Sequence, residues 1–154
     1  MVALTCIGVI AGGLDVLVVG SPVLAQPAPG ISSSPDDEPL LRPGQQVRRP
    51  FGWVEIRTFS RSQKDGDTAF EVEFLVINES RNTMMNFQAR NLVRLIADDV
   101  PRAPYSSEPD WPKDILPDSA EYCNAKFSVQ GTPHVVRVQF GTVDTGRTFL
   151  RWPE

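Results

Sequence analysis

The chain is poor in the residues that most often carry chemistry. Among 154 residues there is one histidine, His134, and there are two cysteines, Cys6 and Cys123. One imidazole excludes every metal site that needs two. The sequence holds no Gly-x-Ser-x-Gly elbow, no phosphate-binding glycine loop and no dinucleotide fingerprint. Positive charge is scarce as well: 15 Lys and Arg against 19 Asp and Glu leave a net charge of −4. That is the wrong sign for a nucleic-acid surface. We therefore expect no cofactor, no metal, no nucleic-acid partner and no catalytic centre. The hydrophobic fraction, 41%, is that of an ordinary folded protein and excludes wholesale disorder.

No Lys or Arg precedes Arg42, and the only charge in residues 1–25 is Asp15. This apolar stretch closes with Ser21-Pro22-Val23-Leu24-Ala25. Val23 and Ala25 are the small residues that signal peptidase needs at the third and first positions before its cut. Residues 1–25 are expected to be a signal peptide, cleaved between Ala25 and Gln26. Two features depart from the pattern. The basic start is missing, which an upstream translation start would explain. Asp15 costs roughly 2.5–3.5 kcal/mol at the centre of a membrane helix. The alternative is an uncleaved apolar anchor, which needs roughly 20 residues. Cys6 comes too early to carry a lipid. Cleavage leaves Cys123 as the single thiol, which cannot close an internal disulfide.

Six of the 14 prolines lie between residues 26 and 50: Pro27, Pro29, Pro35, Pro39, Pro43 and Pro50. With Asp36-Asp37-Glu38 they make a stretch with too little apolar surface to offset its ordering entropy. Residues 26–50 are expected to be a disordered, semi-rigid spacer.

From Phe51 onward the dominant period is two. In Phe70-Glu71-Val72-Glu73-Phe74-Leu75-Val76 the apolar residues share one face and the glutamates the other, the mark of a strand with one side on a core. Cys123, Ala125, Phe127 and Val129 do the same between Glu121 and Val129, which places Cys123 in the core. His134 to Phe140 alternates similarly, with His134 on the inward face. Gly131-Thr132-Pro133 predicts an antiparallel hairpin between these two strands. Trp53 to Phe59, Met84 to Ala89, Leu92 to Ile96 and Thr148 to Trp152 are weaker strands. Asp65-Gly66-Asp67 and Ala97-Asp98-Asp99 are turns. Asn86 to Ile96 fits either a short helix or a broken pair of strands. Five prolines between Pro101 and Pro117 predict a long loop, with one helical turn at Ser106 to Trp111. About seven strands over residues 51–154 predict an all-β fold, an antiparallel immunoglobulin-like β-sandwich.

Three segments occur together: Phe74-Leu75-Val76-Ile77-Asn78-Glu79-Ser80, then Leu92 to Asp99, then Leu116-Pro117-Asp118-Ser119-Ala120-Glu121 running into Phe127-Ser128-Val129. The set resembles the secreted bacterial immunoglobulin-like sandwich domains of unknown function, often carried on lipoproteins behind a polar linker. It spans Trp53 to Trp152. The resemblance implies an extracytoplasmic adhesion or assembly role, with no known catalytic site.

Few residues compete for a chemical role. A hairpin would bring Cys123 and His134 near each other as a nucleophile and base. Glu71 and Glu73 stand about 7 Å apart on one strand face, a spacing used by paired carboxylates, although a solvated outer face needs no such role. Asp65-Gly66-Asp67 lacks the remaining ligands of a calcium loop. Asn78-Glu79-Ser80 matches a glycosylation sequon. Trp111, in the proline-rich loop, and Trp152, near the end of the chain, are the candidate anchors for a protein or glycan partner. The expected function is an exported, non-catalytic binding or structural protein of the cell envelope, periplasmic or extracellular, touching a membrane only through residues 1–25 if these are kept. The alternatives are a membrane-anchored accessory subunit and a small secreted hydrolase using Glu71 and Glu73.

Overall fold

The computed structural model describes residues 37–154. The expected signal peptide, its Ala25–Gln26 cleavage site and the first part of the spacer lie outside the described residues. The described residues are mostly β, in antiparallel sheets, with one α-helical turn. In order, its elements are β1 (Gln46–Arg49), β2 (Gly52–Lys64), β3 (Asp67–Asn78), β4 (Met85–Phe87), α1 (Ala89–Leu92), β5 (Val93–Ala97), β6 (Val100–Arg102), β7 (Ser106–Glu108), β8 (Lys113–Ile115), β9 (Ser119–Gln130), β10 (Val136–Phe140) and β11 (Thr148–Arg151). They form a five-stranded sheet β1-β2-β3-β9-β7, a four-stranded sheet β11-β10-β5-β6 and the pair β4-β8. Among the described residues no helix is long and apolar enough to cross a membrane.

Each of the seven strands read from the alternation is present. The Asp65-Gly66 turn joins β2 to β3, with Lys64 opposite Asp67. Both turn residues have positive φ, 53° and 86°, the backbone of a two-residue hairpin turn that matches strand twist. β3 then buries Phe70, Val72, Phe74 and Val76, and β9 buries Cys123, Ala125, Phe127 and Val129. In register, Phe74 lies opposite Cys123 and Val72 opposite Ala125, so larger side chains face smaller ones. Val93, Leu95, Val138, Phe140 and Leu150 of the four-stranded sheet join the same buried cluster. Fully burying side chains of this size contributes about 1.5–3 kcal/mol each. Cys123 is buried as expected.

Several expectations are corrected. Gly131-Thr132-Pro133 does not close a hairpin. β9 stays between β3 and β7, while β10 lies between β5 and β11 in the other sheet. β3 pairs with β9 along its whole length and β7 with Asn124 to Lys126 on its other edge, while the segment after β9 crosses to the other sheet. It is held by the Asp98 carboxylate, which accepts the backbone N–H groups of His134 and Val135, each at 2.9 Å. The Asp98-Asp99 turn, with φ of 46° and 64°, closes the β5–β6 hairpin. The segment Asn86 to Ile96 resolves into the end of β4, the single turn α1 and β5. Ser106 to Trp111 is not helical; its first half is β7.

The folded unit also begins earlier than Phe51. Leu41 and Val47, within the expected spacer, are buried, as are Glu38 and Arg49. Leu40 bridges Arg151 in parallel, Leu41 N–H donates to Arg151 O at 2.7 Å, and Arg151 N–H donates to Pro39 O at 2.9 Å. β1 pairs with β2 from Gln46 to Arg49. Pro39 serves here only as an acceptor, a role that the missing N–H does not impair.

Candidate functional site

Beside β7 the surface opens into a cleft of about 570 Å³. Three aromatic side chains line it with much of their surface in solvent: Tyr105 at 64% exposure, Trp111 at 69% and Tyr122 at 48%. Different pieces of the chain supply them. Tyr122 comes from the outward-facing phase of β9, opposite in direction to buried Cys123. Tyr105 directly precedes β7, and its N–H donates to Lys126 O at 2.9 Å. Trp111 sits in the turn after β7, beyond the cis Glu108–Pro109 peptide bond.

The floor is fixed. β7 is paired to β9 with Ser107 opposite Ala125. Ser107 is buried, and its hydroxyl donates to Asp110 Oδ1 at 3.4 Å. Gln88 Nε2 donates to Asp110 O at 2.7 Å and ties the turn to the neighbourhood of α1. Lys113 and Glu121 form an ion pair on the wall. Arg90 stands 4.0 Å from Asp110. Glu108, whose carboxylate accepts no hydrogen bond among the described residues, completes a lining of three acids and one base. The Tyr122 hydroxyl pKa is raised, first by desolvation and then by its hydrogen bond to Glu73 and the charges of Glu73, Glu71 and Glu108.

Of the residues singled out from sequence, only Trp111 belongs to this cleft. Trp152 is a correction: it is buried, edge-to-face on Phe59 and Phe70 with centroids at 5.3 and 5.0 Å, and it offers no surface anchor. Glu71 and Glu73 are outward, as expected, and each is engaged by a neighbouring strand. Asn124 Nδ2 donates to Glu71 Oε1 at 2.5 Å, Lys126 lies at 3.2 Å, and Thr58 donates to Glu73 Oε2 at 2.6 Å. The Asn124 hydrogen bond is the main reason that the Glu71 pKa is lowered.

His134 is a second correction, since it is not inward but almost wholly exposed, with Nδ1 3.9 Å from Asp98. It precedes β10 in one sheet, and Cys123 lies on β9 in the other, so no hairpin joins them. Burial pushes the Cys123 thiol far up, away from the reactive thiolate. Asn78 is no acceptor for a glycan on the folded chain. It is buried and donates to the carbonyls of Thr83, Ile115 and Leu116. Among the described residues no group of three or more His, Cys, Asp or Glu is placed to hold a metal.

Tyr105 and Tyr122 were not singled out. Tyr122 carried a signal, since it is aromatic and out of phase with the core. Nothing in the order of residues linked it to Trp111. No family model matches the chain, and no curated protein or solved structure shows significant similarity to it. What the fold and the cleft define is a class: an all-β protein of antiparallel sheets with an aromatic cleft at one sheet edge.

Proposed function

We propose that the chain is an exported, non-catalytic binding protein of the cell envelope. In this reading it is an immunoglobulin-like β-sandwich, periplasmic or extracellular, and the cleft around Trp111 holds a protein or glycan partner. One observation carries the reading: three aromatic side chains from separate segments stay exposed around one cleft, on a floor anchored by buried Ser107. Exposed aromatics that converge without packing on each other are the usual anchors of binding surfaces. A binding role rather than a catalytic one draws on the placement of Glu71, Glu73, Cys123 and His134, each engaged or separated as described above. Export draws on the apolar leader and its small residues at Val23 and Ala25.

Two measurements test this. Mass spectrometry of the native protein is expected to show an N-terminus at Gln26; retention of residues 1–25 would point to an anchored subunit instead. A pull-down from envelope extract with the wild type and with Trp111→Ala is expected to lose its specific partner in the variant. A partner set unchanged by Trp111→Ala removes the cleft from the function.

A further inference from the structure

We infer that the occupant of the cleft is an extended, positively charged protein segment, which adds beside β7 and seats a Lys or Arg side chain among Tyr105, Trp111 and Tyr122. This rests on the reading of the cleft as the binding surface, and it names the chemistry of the partner.

Three observations point the same way. The first is charge. Glu108, Asp110 and Glu121 line the cleft against Lys113 alone. The Lys113–Glu121 pair cancels itself. Among the described residues Asp110 has the ion pair with Arg90 at 4.0 Å and a weak bond from Ser107, and Glu108 accepts no hydrogen bond and meets only the charge of nearby Lys126. The residues lining the cleft therefore carry more negative than positive charge, which favours a cation over an anion.

The second is the aromatic lining. The faces of Trp and Tyr rings carry negative potential, and a Lys or Arg head within about 6 Å of a ring centroid is attracted to it. This chain uses the same contact elsewhere: the Arg48 guanidinium lies 4.6 Å above the ring of Trp53. Among the described residues no cation lies over the rings of Tyr105, Trp111 and Tyr122.

The third is the sheet edge. Among the described residues β7 is the outermost strand of the five-stranded sheet, paired with β9 on one side and with no strand on the other, and α1 lies near it. Such an edge offers backbone donors and acceptors to an incoming extended chain. A glycan would use the aromatic rings as well, but it would need neither the open strand edge nor the negative surplus. An acidic partner would be repelled by Glu108 and Asp110.

The test is a selection of random-sequence displayed peptides on the full chain at low salt, run beside a glycan array. The expected result is a set of peptides enriched in Lys and Arg. Their affinity should fall by roughly tenfold or more in Trp111→Ala. It should fall severalfold in the double variant Glu108→Gln, Asp110→Asn, and weaken as salt is raised. Methylating alternate backbone nitrogens of a selected peptide should also abolish binding. Far-UV circular dichroism checks that the variants remain folded. Selected peptides with no basic bias, or binding indifferent to Glu108→Gln and Asp110→Asn, overturn the inference while leaving the cleft as a binding surface. Trp111-dependent binding of a glycan with no peptide selected does the same. If neither peptide nor glycan depends on Trp111, the reading of the cleft falls too.

Discussion

Phe74 of β3 meets Phe140 of β10 edge to face, with ring centroids 5.5 Å apart and planes at 79°. The two strands belong to different sheets, so this contact joins the five-stranded sheet to the four-stranded one. Both rings are fully buried. Phe140→Ala is expected to cost about 3–5 kcal/mol, the usual loss for an aromatic removed from a core. Urea unfolding followed by circular dichroism measures it. A loss below about 1 kcal/mol would mean that the two sheets do not share this core.

Two glycines with similar backbone should respond differently to the same change. Gly131 has φ of 76°, and a Cβ there would meet nothing within 4 Å. Gly131→Ala is expected to cost only the left-handed penalty, roughly 1–2 kcal/mol. Gly141 has φ of 88°, and its Cβ would fall 2.1 Å from Arg49 Nη1 and 2.2 Å from Gly146 O. That guanidinium is buried and donates to Phe140 O at 3.1 Å and Gly146 O at 2.6 Å. Gly141→Ala should therefore dislodge Arg49 and destabilise well beyond Gly131→Ala. Equal midpoints for the two variants in one denaturation series would refute the placement of Arg49.

Leu41 lies in a stretch whose composition predicts a spacer, yet it is among the fully buried side chains. Leu41→Ala is expected to destabilise by about 2–5 kcal/mol. A true spacer residue would cost nothing measurable. Thermal unfolding of the variant beside Leu40→Ala, at a position that is only partly buried, separates the two cases.

Asp98 gives a pH signature. Its pKa is lowered from 3.8, first by the hydrogen bond from Val135 N–H and then by His134 N–H and the neighbouring imidazole. A carboxyl depressed by folding adds stability above its unfolded pKa, and that stability is lost as the pH falls through its folded value. The wild type should thus lose part of its stability below about pH 4. Asp98→Asn keeps an acceptor oxygen and tolerates the positive φ of 46°, but it cannot titrate. Its urea midpoint should be lower than the wild type near neutrality and should vary less between pH 3 and 6. A wild type and variant with parallel pH profiles would remove Asp98 as the cause.

Alternation made the faces legible. Phe70, Val72, Phe74 and Val76 had to lie on one side, because a strand turns successive side chains to opposite faces. The same rule places Cys123 inward on its strand. It carries no information on which strand lies next to which. Gly131-Thr132-Pro133 therefore looked like a hairpin, although β9 already had β3 and β7 for neighbours. Composition misled in the same way at residues 38–50. Counting prolines does not show that Leu41 and Val47 find a ready-made apolar surface to cover.

The sequence by itself determined a mostly β fold, its one-sided strands, a turn at Asp65-Gly66-Asp67 and its shortage of groups for metal or histidine chemistry. These follow from local backbone geometry and from counting. Only the tertiary structure decided that Trp152 is core and Trp111 is surface, that Cys123 and His134 lie in different sheets, and that Tyr105, Trp111 and Tyr122 line one cleft. Strand pairing and the meeting of loops depend on contacts between residues distant in sequence, and the packing of the whole core selects among them.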